Sequence, residues 1–316
     1  MRLLVTGASG FIGRNLLRAI PEHWLVTATY NRSADLPAFI ERLGRATIVP
    51  FQVDLTESDA ATRLKSSQGA FDACVFLAAN GDPALSVAKP AFDLRSNTIS
   101  CVQLLEALHF ERLIYFSSGA VYDGMVGAVS PRSHIAPLLP YSISKFASEQ
   151  YLRHFRGKGR IGNLFIVRFF GAYGPWEAER KIYGRLVRRF AIERDPRFAI
   201  RGNGRNFIDA MYIDDAVRAI LQLLATSGEG EVVDCASGNP VSLTALVETA
   251  ARLFGLQPEI TYEGQVPEYI EFHSVDDTMR TKYGFVPAIP LGEGLQRFAD
   301  FLRTDSIPPA PGELPA

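Results

Sequence analysis

The heptapeptide Gly7-Ala8-Ser9-Gly10-Phe11-Ile12-Gly13 constrains this chain more than any other stretch. It follows the apolar run Leu3–Thr6 directly and opens the helical period of Phe11–Ile20. A strand that turns into a helix through glycines lets backbone approach a pyrophosphate, whose charge then sits on the helix N-terminus. A plain glycine-rich turn is the bland alternative, and the strand–loop–helix context argues against it. The spacing is Gly-x-x-x-x-x-Gly with Gly10 at its centre, not Gly-x-Gly-x-x-Gly. The expected pyrophosphate seat is Gly7, Ser9, Gly10, Phe11, Ile12 and Gly13.

The same rhythm continues through the first 170 residues or so. Leu3–Thr6, Leu25–Thr29, Thr47–Phe51, Ala73–Leu77, Leu113–Ser117 and Asn163–Phe170 read as buried strands, with helical periods between them. In the stretch Ser96–His109, for example, Ile99, Val102, Leu105 and Leu108 recur at helical steps. Such alternation predicts an α/β fold, a doubly wound parallel sheet with right-handed crossovers. After Phe170 the rhythm changes to turn clusters, a basic helical stretch Arg180–Arg197, a helix from Asp214 to Leu224, a strand Val232–Cys235 and a helix Ser242–Phe254. The expected division is one unit of 1–170 plus about 206–236 and a smaller mixed α/β unit of 171–205 and 237–305, ending in a disordered tail over 306–316.

Composition removes several classes. Thirty-three basic and 34 acidic side chains leave a net charge of −1, which offers no footprint for nucleic acid or an anionic membrane. The run before Gly7 is too short for a signal peptide, and no stretch approaches the ~18 apolar residues of a spanning helix. Cys74, Cys101 and Cys235 stand apart in apolar contexts, as reduced core thiols do, so a cytoplasmic protein is expected. The five histidines have no metal-ligand spacing, and no metal is expected.

The end of the second strand bears on the cofactor. A carboxylate there holds a ribose hydroxyl, whereas an arginine accommodates a 2′-phosphate. Here stand Asn31, Arg32 and Ser33, with no carboxylate before Asp35, so the reading leans to NADP over NAD. Asp54 and Leu55 follow the third strand, where they can reach the adenine, although Asp54 or Thr56 can equally cap a helix.

Tyr141 and Lys145 are four residues apart at the head of a helix, so they share a face. A neighbouring ammonium favours the phenolate of a tyrosine whose ordinary pKa is about 10, which makes the pair a general acid/base. Alone the spacing is weak. Ser118 reinforces it, because it ends the fifth strand at the carboxyl edge where open sheets place ligands, and its hydroxyl can bond a reacting oxygen.

Gly7/Gly10/Gly13, Asp54-Leu55, Leu77-Ala78-Ala79, Asn97, Ser118-x-x-Val121-Tyr122, Tyr141-x-x-x-Lys145 and Arg168…Tyr173-Gly174-Pro175 together resemble the extended short-chain dehydrogenase/reductases. More narrowly they resemble the NAD-dependent epimerase/dehydratase family, with the landmarks in order to about residue 300. The resemblance implies a Rossmann domain for the cofactor and a carboxyl-terminal domain for the substrate, often a nucleotide sugar. It implies Tyr141 as acid/base, Lys145 on the nicotinamide ribose and Ser118 polarising the reacting oxygen. Leu77, Ala78, Ala79, Asn97 and Phe170 become cofactor contacts, and Asn80 and Gly171 substrate contacts. Arg180 and Arg205 are not family positions but candidates to supply positive charge to the substrate, with a solvated basic surface as the bland alternative. A homodimer is implied as well.

Departures from the family pattern narrow the activity. Gly119-Ala120 stand where dehydratases of the family carry an Asp-Glu pair, so elimination of water lacks its extra acid and base. Gly171 and Ile208 replace an asparagine and an arginine that commonly meet the nucleotide diphosphate. The expected activity is hydride exchange at a ring carbon, C4, of a nucleotide sugar, as epimerase or ketoreductase. A dehydrogenase of a small non-nucleotide hydroxy or keto compound is the alternative.

Overall fold

The computed structural model describes residues 1–265, 270–304 and 306–311, which fall into two compact units. The first comprises Met1–Asp123, His134–Phe169 and Ala219–Val233. Its strands β1 (Arg2–Thr6), β2 (Leu25–Tyr30), β3 (Ile48–Gln52), β4 (Ala73–Phe76) and β5 (Phe110–Ser118) are joined by Ile161–Phe169 and Val232–Cys235 in one seven-stranded sheet. From one edge the order is β3, β2, β1, β4, β5, Ile161–Phe169, Val232–Cys235. The pairs among the first six of these are all parallel.

The helices include α1 (Phe11–Ala19), α2 (Leu36–Leu43), α3 (Ala60–Gln68), α4 (Pro83–Ala88), α5 (Pro90–Leu94), α6 (Ser100–Ala107) and α7 (Pro140–Gly157). The chain leaves β1 for β2 and β3 on one side, then returns to β4 and β5 on the other. Right-handed crossovers therefore put the two sets of helices on opposite faces, and the order reverses beside β1, at the glycine loop. The strands are apolar runs because both of their faces are covered. Leu4, Cys74, Phe76, Leu113, Tyr115, Leu164 and Ile166 from the sheet pack with Leu104, Leu105 and Leu152 from the helices.

The second unit comprises Gly124–Ser133, Phe170–Arg218 and Asp234–Ala316. It is built on two-stranded pairs: Val126–Val129 with Glu271–Ser274, Ala172–Tyr173 with Met211–Tyr212, Arg197–Arg201 with Glu259–Glu263, and Phe207–Ile208 with Val241–Ser242. Residues 206–218 and 234–236, expected in the first unit, group here; fully buried Asp215 ties the former by accepting the backbone N–H of Ala288 and Ile289 at 3.1 and 2.9 Å. Segment 124–133 groups here through its strand pairing.

Two helix expectations are corrected. Arg180–Arg197 is not one helix but Ile182–Val187, a π-helical stretch Arg188–Ile192 and a strand from Arg197, because Arg194 is left-handed and Pro196 cannot continue a helix. Ser96–His109 likewise begins with a π-helical turn, Arg95–Ile99, before α6. Ser306–Pro311 has neither helix nor strand, and 312–316 of the expected tail lie outside the described residues.

Candidate active site

The glycine loop is shaped by close approach. Gly7 is left-handed (φ +64°), and a Cβ on it would lie 2.8 Å from the backbone nitrogen of Ala78. A Cβ on Gly13 would lie 2.6 Å from Cα of Ala8. Thr6 Oγ1 accepts the N–H groups of Leu77 and Ala78, each at 3.1 Å, and so fixes the start of the 77–80 loop beside the glycines. Arg14 donates to the Ser9 carbonyl at 2.9 Å and steadies the turn from behind. Gly10 caps α1 without a side-chain hydrogen bond, and the first turn carries no acidic residue. Phe11, Ile12 and Gly13 thus offer their N–H groups to an anion unopposed, which fits the pyrophosphate of a dinucleotide.

Beyond β2, Asn31 and Arg32 are exposed and Ser33 is half-buried. Burial opposes the charge on Asp54, but hydrogen bonds from Thr56 and Asn31 and the charge of Arg32 outweigh it and hold the carboxyl below its ordinary range. Asp54 is not a helix cap; it accepts Thr56 N–H and Oγ1 at 2.9 and 2.7 Å in an Asx-turn, with Leu55 buried next to it. Asp35, the first carboxylate after β2, pairs with Arg14 at 2.7 Å.

The catalytic candidates meet at the end of β5. Ser118 Oγ accepts the Ala120 N–H at 3.1 Å, which orients the hydroxyl. Burial raises the pKa of Tyr141, the neighbouring Ser118 hydroxyl lowers it, and Asp93 raises it again. Lys145 is 3% exposed, with Nζ on the Phe116 carbonyl and 4.5 Å from the centre of the Tyr115 ring. Burial brings its pKa down to about 8, against the opposing pull of Cys101, Glu149 and Asp93.

A polar cluster supports this face from below. Asn97, in the π-helical turn, accepts the Asn80 backbone N–H at 2.7 Å and donates to Asp93 and to Ser144 at 3.0 and 2.9 Å. Asn80 Nδ2 and Ser144 Oγ also donate to Asp93, at 2.7 and 2.6 Å. The sequence reading missed Asp93, Ser144 and Glu149. Glu149 had a signal, because it lies four residues beyond Lys145 on the helix face that carries Tyr141.

The structure thus joins the glycine loop to residues 77–78, and Asn80 and Asn97 to the turn of α7 that carries Tyr141 and Lys145. Phe170, Gly171, Arg180 and Arg205 belong to the second unit. Phe170 donates its N–H to Cys235 and packs edge-on against Phe272 at 6.2 Å. Gly171 has φ +141°, and a Cβ there would lie 3.3 Å from Cβ of Ala210. Arg180 and Arg205 are exposed.

A nucleotide loop at the switch of a parallel sheet, with a Ser–Tyr–Lys set at the end of β5, defines a dinucleotide-dependent oxidoreductase fold. The chain belongs to the NAD dependent epimerase/dehydratase family, whose profile matches residues 3–236. It is 27% identical to the UDP-glucose 4-epimerase of Azospirillum brasilense over 325 residues, 94% of this chain and 90% of that protein. It is 25% identical to the dTDP-glucose 4,6-dehydratase of Streptomyces niveus over 319 residues, 96% of this chain and 93% of that one. Among solved structures, the UDP-glucuronic acid 4-epimerase of Bacillus cereus in complex with UDP-glucuronic acid and NAD superposes with a TM-score of 0.84 at 25% identity, covering 97% of this chain and 100% of that one.

Proposed function

We propose that this protein is an NAD-dependent 4-epimerase of a nucleotide-linked sugar. The observation that carries the reading is Ser118, followed by Gly119-Ala120 rather than an acid pair, set beside Tyr141 with Lys145 one helical turn along from that tyrosine. Bound at the glycine loop, NAD supplies a hydride acceptor that also returns the hydride. Ser118, held by the Ala120 N–H, bonds the substrate oxygen as it passes from alcohol to ketone. Tyr141 takes the hydroxyl proton and later gives it back, and Lys145 stabilises the phenolate form and holds the nicotinamide ribose. Without a second acid and base at 119–120, the residues favour inversion over dehydration.

Charge balance favours NAD over the NADP suggested by Arg32. Arg14 and Arg32 are matched by Asp35 and Asp54, which leaves no excess positive charge for a 2′-phosphate. Phe170 is proposed as a cofactor contact and Asn80 and Gly171 as substrate contacts on the family resemblance, and exposed Arg180 and Arg205 as the cations that replace the family's missing phosphate contacts. A homodimer is supported by apolar side chains exposed on neighbouring helices, Phe92 and Leu94 on α5, Ile99 on the π-helical turn, and Ile143 and Tyr151 on α7. Three buried, unpaired thiols support a reducing cytoplasm, and among the described residues no helix is long and apolar enough to cross a membrane.

One observation favours the alternative of a small non-nucleotide hydroxy or keto substrate. A cavity of about 460 Å³ in the second unit, lined by Tyr173, Tyr183, Ile208, Tyr212, Ser237 and Asn239 among others, has no charged side chain among the described residues of its wall. Calorimetry with UDP, CDP, GDP and dTDP separates the two, since micromolar binding of any of them excludes the alternative.

The test of the main reading is to denature freshly purified protein and identify the released nucleotide by mass spectrometry. Near-stoichiometric NAD is expected, because an epimerase regenerates its cofactor in every cycle. NADP(H) alone, or almost no nucleotide, means an exchanging reductase instead.

A further inference from the structure

We propose that Asp93 is a positioning residue that supplies the counter-charge for Lys145 while tying the 77–80 loop to the catalytic turn of α7. The proposal rests on Lys145 being the cation of the active site proposed above. Asp93 is fully buried on α5. It takes hydrogen bonds from three segments at once: Asn80 Nδ2 of the loop after β4 (2.7 Å), Asn97 Nδ2 of the π-helical turn (3.0 Å) and Ser144 Oγ of α7 (2.6 Å). Ser144 lies between Tyr141 and Lys145, so the carboxylate braces the turn that carries both. All three donors are neutral, and among the described residues no cation forms an ion pair with Asp93. A buried carboxylate held only by neutral donors keeps most of its field for the groups around it.

The charge around Lys145 singles Asp93 out. Three groups oppose the effect of burial on the ammonium: Cys101 from α6, Glu149 from α7 and Asp93 from α5. Cys101 is a neutral thiol at any working pH, because burial pushes it up to about 12. Glu149 gives its charge to Arg168, which bonds both its oxygens, at 2.8 and 3.1 Å. Tyr115 on β5 presents its ring to Lys145, and burial raises its pKa well above the ordinary value, so it brings no charge either. Tyr141 is likewise neutral at rest. Asp93 is left as the one uncompensated negative charge acting on Lys145 among the described residues. The same charge opposes ionisation of Tyr141, so it favours the ammonium together with the neutral phenol, the resting pair from which a proton can be handed to and fro.

The experiment uses full-length protein carrying lysine labelled with carbon-13 at Cε. The Lys145 resonance is assigned by its loss in Lys145→Met, and its titration is followed in wild type and in Asp93→Asn. Asp93→Ser, smaller and also neutral, replaces the amide if that variant does not fold. The expected result is a Lys145 midpoint lower by about half a pH unit or more in the neutral variant. In the epimerase assay kcat falls at least about tenfold with KM within about threefold, and the alkaline limb of the rate profile moves to lower pH. A midpoint within about 0.2 pH unit of wild type in a folded neutral variant overturns the proposal, even if Tm has dropped, because a purely structural Asp93 lowers Tm without moving that titration. The midpoint is read without any substrate, so failure of the nucleotide-sugar reading shows as inactive wild type and leaves the lysine result to stand or fall alone.

Discussion

Glu149 and Arg168 form a two-point ion pair sealed inside the first unit, with side chains 0% and 2% exposed and the shorter contact at 2.8 Å. Ser117, the neighbour of Ser118, donates to the same carboxylate at 2.6 Å, and Arg168 reaches the Tyr122 hydroxyl at 2.9 Å. The pair therefore locks α7 to β5 and to the strand Ile161–Phe169, the elements that hold the catalytic groups. Glu149→Leu or Arg168→Met alone leaves a buried charge unmatched and is expected to destabilise by about 3–5 kcal/mol. The double variant is expected to recover much of that loss, as urea denaturation of the four proteins will show. Additive losses contradict the pairing.

Tyr141→Phe removes the proton carrier and keeps the ring. The expected loss is about 10²- to 10⁴-fold in kcat, with nucleotide still bound after purification. A variant with wild-type turnover would remove Tyr141 from the mechanism.

Lys145 makes the site costly to the fold. Its amine has a pKa of about 8 in the folded chain against an ordinary 10.5, so the fold disfavours its charge. At ~1.4 kcal/mol per pH unit that penalty is on the order of 3 kcal/mol, fully present below pH 8 and relieved as pH rises from 8 to 10.5. Lys145→Met is expected to be inactive yet more stable than wild type at pH 7, with the gap closing toward pH 10.5. Stability curves of the two proteins across that range check the sign.

Gly13→Ala places a methyl against the backbone of Ala8, where only 2.6 Å is free. The loop must shift, and the first turn of α1 shifts with it. Loss of co-purifying nucleotide is expected before loss of the folded sheet, and ultraviolet absorbance beside circular dichroism separates the two.

The sheet was legible because its strands are buried on both faces and so read as plain apolar runs, as Leu3–Thr6 and Leu25–Thr29 do. Ser118, Tyr141 and Lys145 stand out as candidates by their spacing and their position at strand or helix ends, whereas Asn97 stands out only through the family resemblance. Asp93 was not, since a carboxylate beside exposed Phe92 and Leu94 reads as a solvated helix face, and only the fold brings Asn80 and Ser144 to it. The basic stretch Arg180–Arg197 misled in the opposite way. Its period is helical as far as Ile192, whereas a left-handed Arg194 and the pairing of Arg197–Arg201 with Glu259–Glu263 are settled by residues far along the chain.

The most direct measurement is proton NMR of the protein in deuterium oxide with UDP-, dTDP-, GDP- and CDP-linked hexoses in turn, with no cofactor added. One of them is expected to give its C4 epimer, with the C4 proton retained because the hydride never leaves the site. Absence of any C4-inverted product, even after NAD is supplied, or deuterium at C4 of the product, would contradict the 4-epimerase reading.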